Sequence, residues 1–113
     1  MISGNPTSIA IIPARMGSSR FPGKPMEKIN GIPMIGHVFY RTKLVRNINT
    51  VCVATCDTEI YEYIKSIGGL AIMTSKLHET ASDRAAEALG IVQKMHDETY
   101  EIVAIIQGNE TII

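Results

Sequence analysis

Four short, almost continuously apolar segments alternate along the chain with three segments whose apolar residues recur at helical spacing. A strand that is buried on both faces carries hydrophobic side chains throughout, so each short apolar segment predicts such a strand. The predicted strands span residues 8–14, 50–55, 70–74 and 100–106. Residues 15–32 lie between the first strand and the first helix, and their glycines and prolines predict an irregular loop.

The three helical segments carry recognisable start and stop signals. Pro33 is tolerated at a first helical position, Asp57 is expected to cap the second helix, and Thr80 with Asp83 is typical of a capping box. The predicted helices span 33–46, the segment from Asp57 to the Gly68-Gly69 pair, and 81–97.

This order of strands and helices predicts an α/β fold in which three layers form a Rossmann-like unit. Strands that alternate with helices require right-handed crossovers and a parallel sheet with helices on both faces. About four strands and three helices fit within residues 1–113 as a single domain. In such sheets ligands bind beyond the carboxyl ends of the strands, so candidate chemistry is sought there.

Composition excludes several classes of protein. The 113 residues hold 11 Lys+Arg against 11 Asp+Glu, so the overall charge gives no reason to expect nucleic acid or a membrane as partner. We recognise no membrane-spanning run and no secretory signal, and we expect a cytoplasmic protein. Cys52 and Cys56 fit neither a disulfide framework nor a zinc site and are expected to be reduced thiols.

The segment that follows the first strand is strongly basic in this otherwise neutral chain. It carries four basic residues against the single acid Glu27, and Gly17, Ser18 and Ser19 add backbone N–H groups and hydroxyls that can turn toward a phosphate. The basic residues are Arg15, Arg20, Lys24 and Lys28. The glycine spacing matches neither a Walker loop nor a dinucleotide fingerprint. The segment therefore predicts a polyphosphate cradle of another kind, with a solvated basic loop as the alternative.

Five motifs, taken together, resemble the opening of the 3-deoxy-manno-octulosonate cytidylyltransferases, the CMP-Kdo synthetases. They occupy residues 11–25, 29–38, 53–57, 73–87 and 106–110, in the order found in that family. The resemblance covers nearly the whole chain but only the N-terminal half of a typical member. It implies a nucleotide-binding domain that is truncated on its C-terminal side.

The resemblance implies transfer of a cytidylyl group from CTP to an acidic 3-deoxy-ulosonic sugar for lipopolysaccharide synthesis, with Mg²⁺ as cofactor and a homodimer in the full-length family. Arg15 and Lys24 would be the catalytic cations, and His78 and Arg84 would bind the sugar. Asn109 stands where the family has a magnesium-binding aspartate. The implied nucleotide-binding residues are Pro13, Ala14, Arg15, Gly17, Ser18, Ser19, Arg20, Lys24, Met73, Thr74, Ser75 and Gln107.

Two departures from the family pattern change the expectations. Glu79 replaces a neutral amide beside the sugar site, which suggests a sugar that carries an amine. Asn109 lacks the charge of aspartate, which weakens a Mg²⁺ site because this ion prefers carboxylates. On residue type alone, His78 could instead be a loop residue bonded to backbone.

Two other readings remain open. The chain could belong to a nucleotidyltransferase for another sugar, of the CMP-sialate or glycosyl-1-phosphate type, or it could be a noncatalytic fragment. The last predicted strand would form an uncovered apolar edge, so we expect weak stability or self-association when the chain is expressed alone.

Overall fold

The computed structural model describes residues 7–17 and 24–106. The elements are β1 (Ser8–Pro13), β2 (Lys28–Ile29), β3 (Ile32–Pro33), α1 (Met34–Lys43), β4 (Thr50–Thr55), α2 (Thr58–Ser66), β5 (Leu70–Met73), α3 (Ala81–His96) and β6 (Ile102–Ile105). A 3₁₀ turn, Lys24–Met26, precedes β2.

The main sheet has four strands in the order β5-β4-β1-β6, and every neighbouring pair is parallel. The central strand β1 is buried along its whole length. In the register of the sheet, Ala10 lies beside Val51 of β4 on one side and Ala104 of β6 on the other. The predicted parallel α/β architecture is confirmed.

Helices cover both faces of the sheet and divide the core into two parts. On one face Ile11 and Cys52 belong to a cluster with Val92 of α3. On the other face Ile12 packs in a cluster with Ile60 of α2 and with residues of α1. Burial raises the pKa of the Cys52 thiol to about 12, so this cysteine stays protonated and acts as a small apolar side chain.

The prediction that residues 15–32 form one irregular loop is wrong for its second half. β2 and β3 pair as an antiparallel hairpin, and their turn places Asn30 and Gly31 at φ 54° and 81°. An Asn-Gly pair is the strongest short-range hairpin signal because both residues tolerate positive φ. The Ile29 carbonyl lies 2.7 Å from His37 Nε2, and this contact ties the hairpin to α1.

The helix boundaries agree with the sequence pattern at their starts better than at their ends. Thr80 caps α3 as predicted, with its Oγ1 accepting the Asp83 N–H at 3.0 Å. Pro33 belongs to β3 and stands just outside α1, which ends at Lys43 rather than at residue 46. Gly68 follows α2 at φ 82°, the left-handed conformation for which glycine suits a helix end.

β6 forms one edge of the main sheet and leaves apolar side chains exposed. Ile102, Val103 and Ile105 are 50%, 40% and 41% exposed. Among the described residues, no helix combines the length and apolar character needed to cross a membrane.

Candidate functional site

The carboxyl ends of the parallel strands bring the candidate residues to one edge of the sheet. The backbone N–H groups of Ala14, Thr74 and Ile106 each donate to a carbonyl oxygen of the neighbouring strand, at 2.9, 2.8 and 2.8 Å. These bonds continue the ladder one residue past β1, β5 and β6. The loops that follow β1 and β5 therefore start at the same edge of the sheet, one on each side of β4.

The loop after β1 leaves the sheet with an exposed cation. Pro13 and Ala14 are buried at the end of the strand, whereas Arg15 and Gly17 are exposed. Among residues 7–17 and 24–106, no carboxylate pairs with Arg15. A Cβ atom built on Gly17 would meet nothing within 4 Å, so the backbone is open to a ligand there.

Asp57 holds this loop from the neighbouring strand. Its Oδ2 accepts the Met16 N–H at 2.7 Å, and its own N–H donates to Thr55 Oγ1 at 3.1 Å. The prediction that the Asp57 side chain caps α2 is wrong, because that side chain makes no capping hydrogen bond. The carboxylate is directed instead at a backbone donor 41 residues earlier in the chain.

Lys24 begins the 3₁₀ turn that leads into the hairpin. Its carbonyl accepts the Glu27 N–H at 3.0 Å, and the Glu27 carbonyl in turn accepts the N–H of Met34 at the start of α1 at 2.8 Å. Pro25, the middle residue of the turn, is buried. The position of the lysine backbone is thus fixed by the helix that follows.

α3 holds the loop after β5 through Arg84. This arginine is only 3% exposed, and its Nη1 donates to Thr74 Oγ1 at 2.7 Å and to the Ser75 carbonyl at 3.1 Å. Thr74 is buried as well. Within the described part of the chain, the guanidinium has no carboxylate within ion-pair distance. It is a buried cation at the edge of the sheet where the candidate residues gather.

Glu87 is a site residue that the sequence analysis did not single out. Its Oε1 accepts the Ser75 N–H at 3.0 Å and lies 2.7 Å from His78 Nε2. The Ser75 N–H first, and then His78, lower the pKa of the Glu87 carboxyl. The helical spacing of three residues between Arg84 and Glu87 was the available signal, because it places both side chains on one face of α3.

The predicted site residues divide into those the structure describes and those it does not. Pro13, Ala14, Arg15 and Gly17 lie at the end of β1, and a second group lies at the end of β5. That second group comprises Met73, Thr74, Ser75, His78 and Arg84. Lys24, at the start of the 3₁₀ turn, is described as well, whereas Ser18, Ser19, Arg20, Gln107 and Asn109 lie outside the described residues.

No metal centre is assembled within the described ranges, where no group of three or more His, Cys, Asp or Glu side chains is arranged to hold an ion. Asp57 is the carboxylate in contact with the β1 loop, and its Oδ2 is bonded to the Met16 N–H. Asn109 therefore remains the candidate metal ligand, as a prediction from sequence.

Comparison with known proteins identifies one family. The family model described as cytidylyltransferase matches residues 9–113. A 3-deoxy-manno-octulosonate cytidylyltransferase of Thermodesulfovibrio yellowstonii is 45% identical over an aligned length of 111 residues, and the match covers 94% of this chain and 42% of the relative. An 8-amino-3,8-dideoxy-manno-octulosonate cytidylyltransferase of Shewanella pealeana is 42% identical over 103 residues, which are 91% of this chain and 41% of the relative.

Solved structures agree with this comparison. A CMP:2-keto-3-deoxy-manno-octonic acid synthetase complexed with CTP superposes with a TM-score of 0.82 at 41% identity, over 95% of this chain and 42% of that one. A cytidylyltransferase from Leptospira borgpetersenii shares the fold, with a TM-score of 0.73 at 23% identity over 93% of this chain and 42% of that one. The chain thus spans about two fifths of the length of the relatives it matches.

Proposed function

Because the chain belongs to the cytidylyltransferase family, we propose that it is the nucleotide-binding part of an enzyme that activates a 3-deoxy-ulosonic acid with CTP. The products are the CMP-sugar and pyrophosphate, and the sugar is destined for lipopolysaccharide. The relatives named as Kdo and amino-Kdo cytidylyltransferases support this choice over a CMP-sialate or glycosyl-1-phosphate enzyme.

The observation that carries the proposal is the cationic loop after β1. Arg15 is exposed at the carboxyl edge of the sheet without a carboxylate partner among the described residues. A cation that only balanced the charge of this neutral chain could lie anywhere on its surface. An exposed cation at the ligand-binding edge of a parallel sheet is suited instead to an anionic ligand. The triphosphate of CTP is such a ligand.

The chemistry requires positioning and compensation of charge rather than a protein nucleophile. The anomeric hydroxyl of the sugar loses its proton to solvent, and its oxygen forms a bond to the α-phosphorus of CTP. The bond from that phosphorus to the oxygen that bridges it to the β-phosphorus breaks, and pyrophosphate leaves. Arg15 and Lys24 are proposed to offset the charge on the phosphates and on the leaving group. Gly17 is proposed to let backbone N–H groups approach the phosphates closely.

The loop after β5 is proposed to face the base and the sugar. Thr74 and Ser75 would contact the nucleotide, and His78 would contact the acidic sugar. Burial of Arg84 argues against the direct sugar contact that the resemblance implies, because this side chain is 3% exposed and its Nη1 donates to Thr74 Oγ1 and to the Ser75 carbonyl. Arg84 still provides a positive charge next to Thr74 and Ser75, and this charge would attract the carboxylate of the sugar.

An amino sugar is the second candidate substrate. Glu79 follows His78 directly, is exposed, and has no partner in the described ranges. A carboxylate in this place repels an acidic sugar but attracts a sugar amine. Relatives named for the 8-amino sugar have 41–42% identity with this chain. Equal turnover of the amino and hydroxyl sugars by the longer protein would contradict this choice.

Mg²⁺ belongs to the proposal as a companion of the triphosphate. When bound, it would supply positive charge to the phosphate oxygens, and Asn109 would offer it an amide oxygen. The described residues do not assemble a site for it, so no step is assigned to the ion.

Two properties of the whole protein also belong to the proposal, its compartment and its oligomeric state. CTP is a cytoplasmic metabolite, and Cys52 and Cys56 are free thiols, the state that the cytosol maintains; we therefore place the reaction there. A homodimer is proposed for the longer protein.

A CTP titration tests the proposal most simply. Isothermal calorimetry on the 113-residue chain compares the wild type with Lys24→Ala and with the control Lys94→Ala. Lys94 is exposed near the end of α3, which leads to the start of β6 and so lies at the opposite edge of the sheet. We expect Lys24→Ala to weaken CTP binding about tenfold, as loss of one charge-assisted contact costs about 1.5 kcal/mol or more. Equal affinity in all three proteins would contradict the proposed role of Lys24.

The metal and base preferences need separate measurements. Asn109→Asp restores a carboxylate, so we expect CTP binding to depend more steeply on Mg²⁺ than in the wild type. Competition among CTP, UTP and GTP should favour CTP. Preference for another nucleotide would assign the chain to a different transferase.

A further inference from the structure

In the loop that follows β5, two side chains of α3 bind the backbone of a single residue, Ser75. The Ser75 N–H donates to Glu87 Oε1 at 3.0 Å, and the Ser75 carbonyl accepts from Arg84 Nη1 at 3.1 Å. The Ser75 hydroxyl oxygen also accepts the Leu77 N–H at 3.0 Å. Because its backbone N–H and its backbone carbonyl are both bonded to side chains of α3, Ser75 has little freedom to rotate.

The same oxygen of Glu87 also fixes His78. Glu87 Oε1 lies 2.7 Å from His78 Nε2, and the two side chains are 36% and 25% exposed. An ionised carboxylate can only accept hydrogen bonds, so Nε2 must carry the proton in this contact. No described residue bonds to Nδ1. The ring therefore has Nδ1 left for a ligand.

Glu87 is not needed to hold α3 on the sheet. That helix packs through Ala85, Ala88 and Val92, which are at most 2% exposed, and it is capped by Thr80. Within residues 7–17 and 24–106, the Glu87 side chain forms hydrogen bonds with Ser75 and His78 alone. The residue thus joins the helix to the loop without being part of the core.

From this geometry we propose that Glu87 is a positioning residue of the transferase: one carboxylate oxygen sets Ser75 for the nucleotide and turns His78 so that Nδ1 meets the sugar. The inference rests on the proposed function, because it assigns this loop to the substrates. A carboxylate suits the task, since hydrogen bonds to a charged acceptor are stronger than those to a neutral one. Its lowered pKa is consistent with an ionised group that accepts both bonds.

The test compares Glu87→Ala, Glu87→Gln and the control Glu62→Ala in the 113-residue chain. Glu62 is an exposed glutamate of α2 without a partner in the described part of the chain. Nitrogen-15 NMR of the imidazoles reports which ring nitrogen of His78 carries the proton, with His78→Gln used for assignment. Backbone amide spectra report Ser75, and calorimetry reports CTP affinity.

We expect Glu87→Ala to shift the Nε2 resonance of His78, because its hydrogen bond to the carboxylate is lost. The same variant should shift the Ser75 amide and weaken CTP binding about tenfold. Glu87→Gln should retain most of each signal, because its amide oxygen can still accept both hydrogen bonds. Glu62→Ala should behave as wild type. If Glu87→Ala is folded and glutamine restores the signals, the effect of Glu87→Ala is due to loss of the two hydrogen bonds and not to loss of overall stability.

The outcomes distinguish the two proposals. If His78 and Ser75 respond as expected but the wild type binds no CTP, the proposed function fails while the contacts of Glu87 stand. If the wild type and Glu87→Ala bind CTP equally, or if the His78 signal is unchanged in Glu87→Ala, the positioning role is overturned.

Discussion

Removal of the Asp57 carboxylate should loosen the loop that we assign to the triphosphate. Asp57 Oδ2 accepts the Met16 N–H at 2.7 Å and ties the end of β1 to the start of α2. A hydrogen bond to a charged group contributes about 1.5–3 kcal/mol. Both groups are half-buried, so water can replace part of the contact, and we expect the lower end, about 1.5 kcal/mol. This corresponds to about a tenfold change in an equilibrium constant.

Asp57→Ala should therefore weaken CTP binding about tenfold if the loop must be rebuilt for each binding event. Asp57→Asn should behave differently, because its amide oxygen can still accept the Met16 N–H. It also removes a negative charge close to the phosphates, so its CTP affinity should equal or exceed that of the wild type. Calorimetric titration of CTP measures both variants.

Glu59→Ala is the matched control, since Glu59 is an exposed acid in the first turn of α2. Removal of this charge should leave CTP affinity within about twofold of wild type, because exposed pairs contribute little. Binding by Asp57→Ala at wild-type affinity would refute the reasoning. A loss of affinity in Asp57→Asn as large as in Asp57→Ala would show that the charge itself, rather than the contact with Met16, matters.

Other parts of the fold lead to further predictions. Gly69→Ala places a Cβ 2.7 Å from the Phe39 ring and should lower the free energy of unfolding by about 1–3 kcal/mol. Gly90→Ala in α3, where a Cβ meets nothing within 4 Å, should raise it by about 0.5–1 kcal/mol; chemical denaturation measures both. Val103→Lys should reduce self-association of the 113-residue chain in sedimentation experiments, because a charge blunts the exposed edge strand. The pKa of Glu87 is lowered from its ordinary value of 4.5, so the ionised carboxylate stabilises the folded protein above pH 4.5 and this contribution is lost as the pH falls through the lowered pKa. The difference in melting temperature between wild type and Glu87→Gln should therefore shrink from about pH 6 to about pH 3.

The main sheet was predictable because each of its elements is defined by local periodicity. The strand at 50–55 agrees with β4 residue for residue, and the helix predicted from residue 81 begins there. Buried parallel strands need continuous apolar runs, and helices need a stripe at intervals of three and four, so each pattern is visible in one stretch of chain.

The features that the sequence analysis predicted wrongly or did not predict have different physical causes. Asp57 satisfies the local rule for a helix cap, but its carboxylate bonds Met16, whose position depends on how β1 and β4 pair. The hairpin of β2 and β3 has strands of two residues each, too short to show alternation. Glu87 acts through a loop nine to twelve residues earlier in the chain, and only the folded loop brings Ser75 and His78 to one oxygen.

The most direct measurement is a map of backbone amide shifts on addition of CTP to the 113-residue chain. If the loop after β1 receives the triphosphate and the loop after β5 receives the base, the largest shifts will fall on residues 14–17 and 74–78. The segment 44–49, which connects α1 to the opposite end of β4, should not respond. Shifts confined to that segment, or no shifts at CTP concentrations above about 1 mM, the upper end of ordinary KM values, would contradict the assignment of this edge of the sheet to the nucleotide.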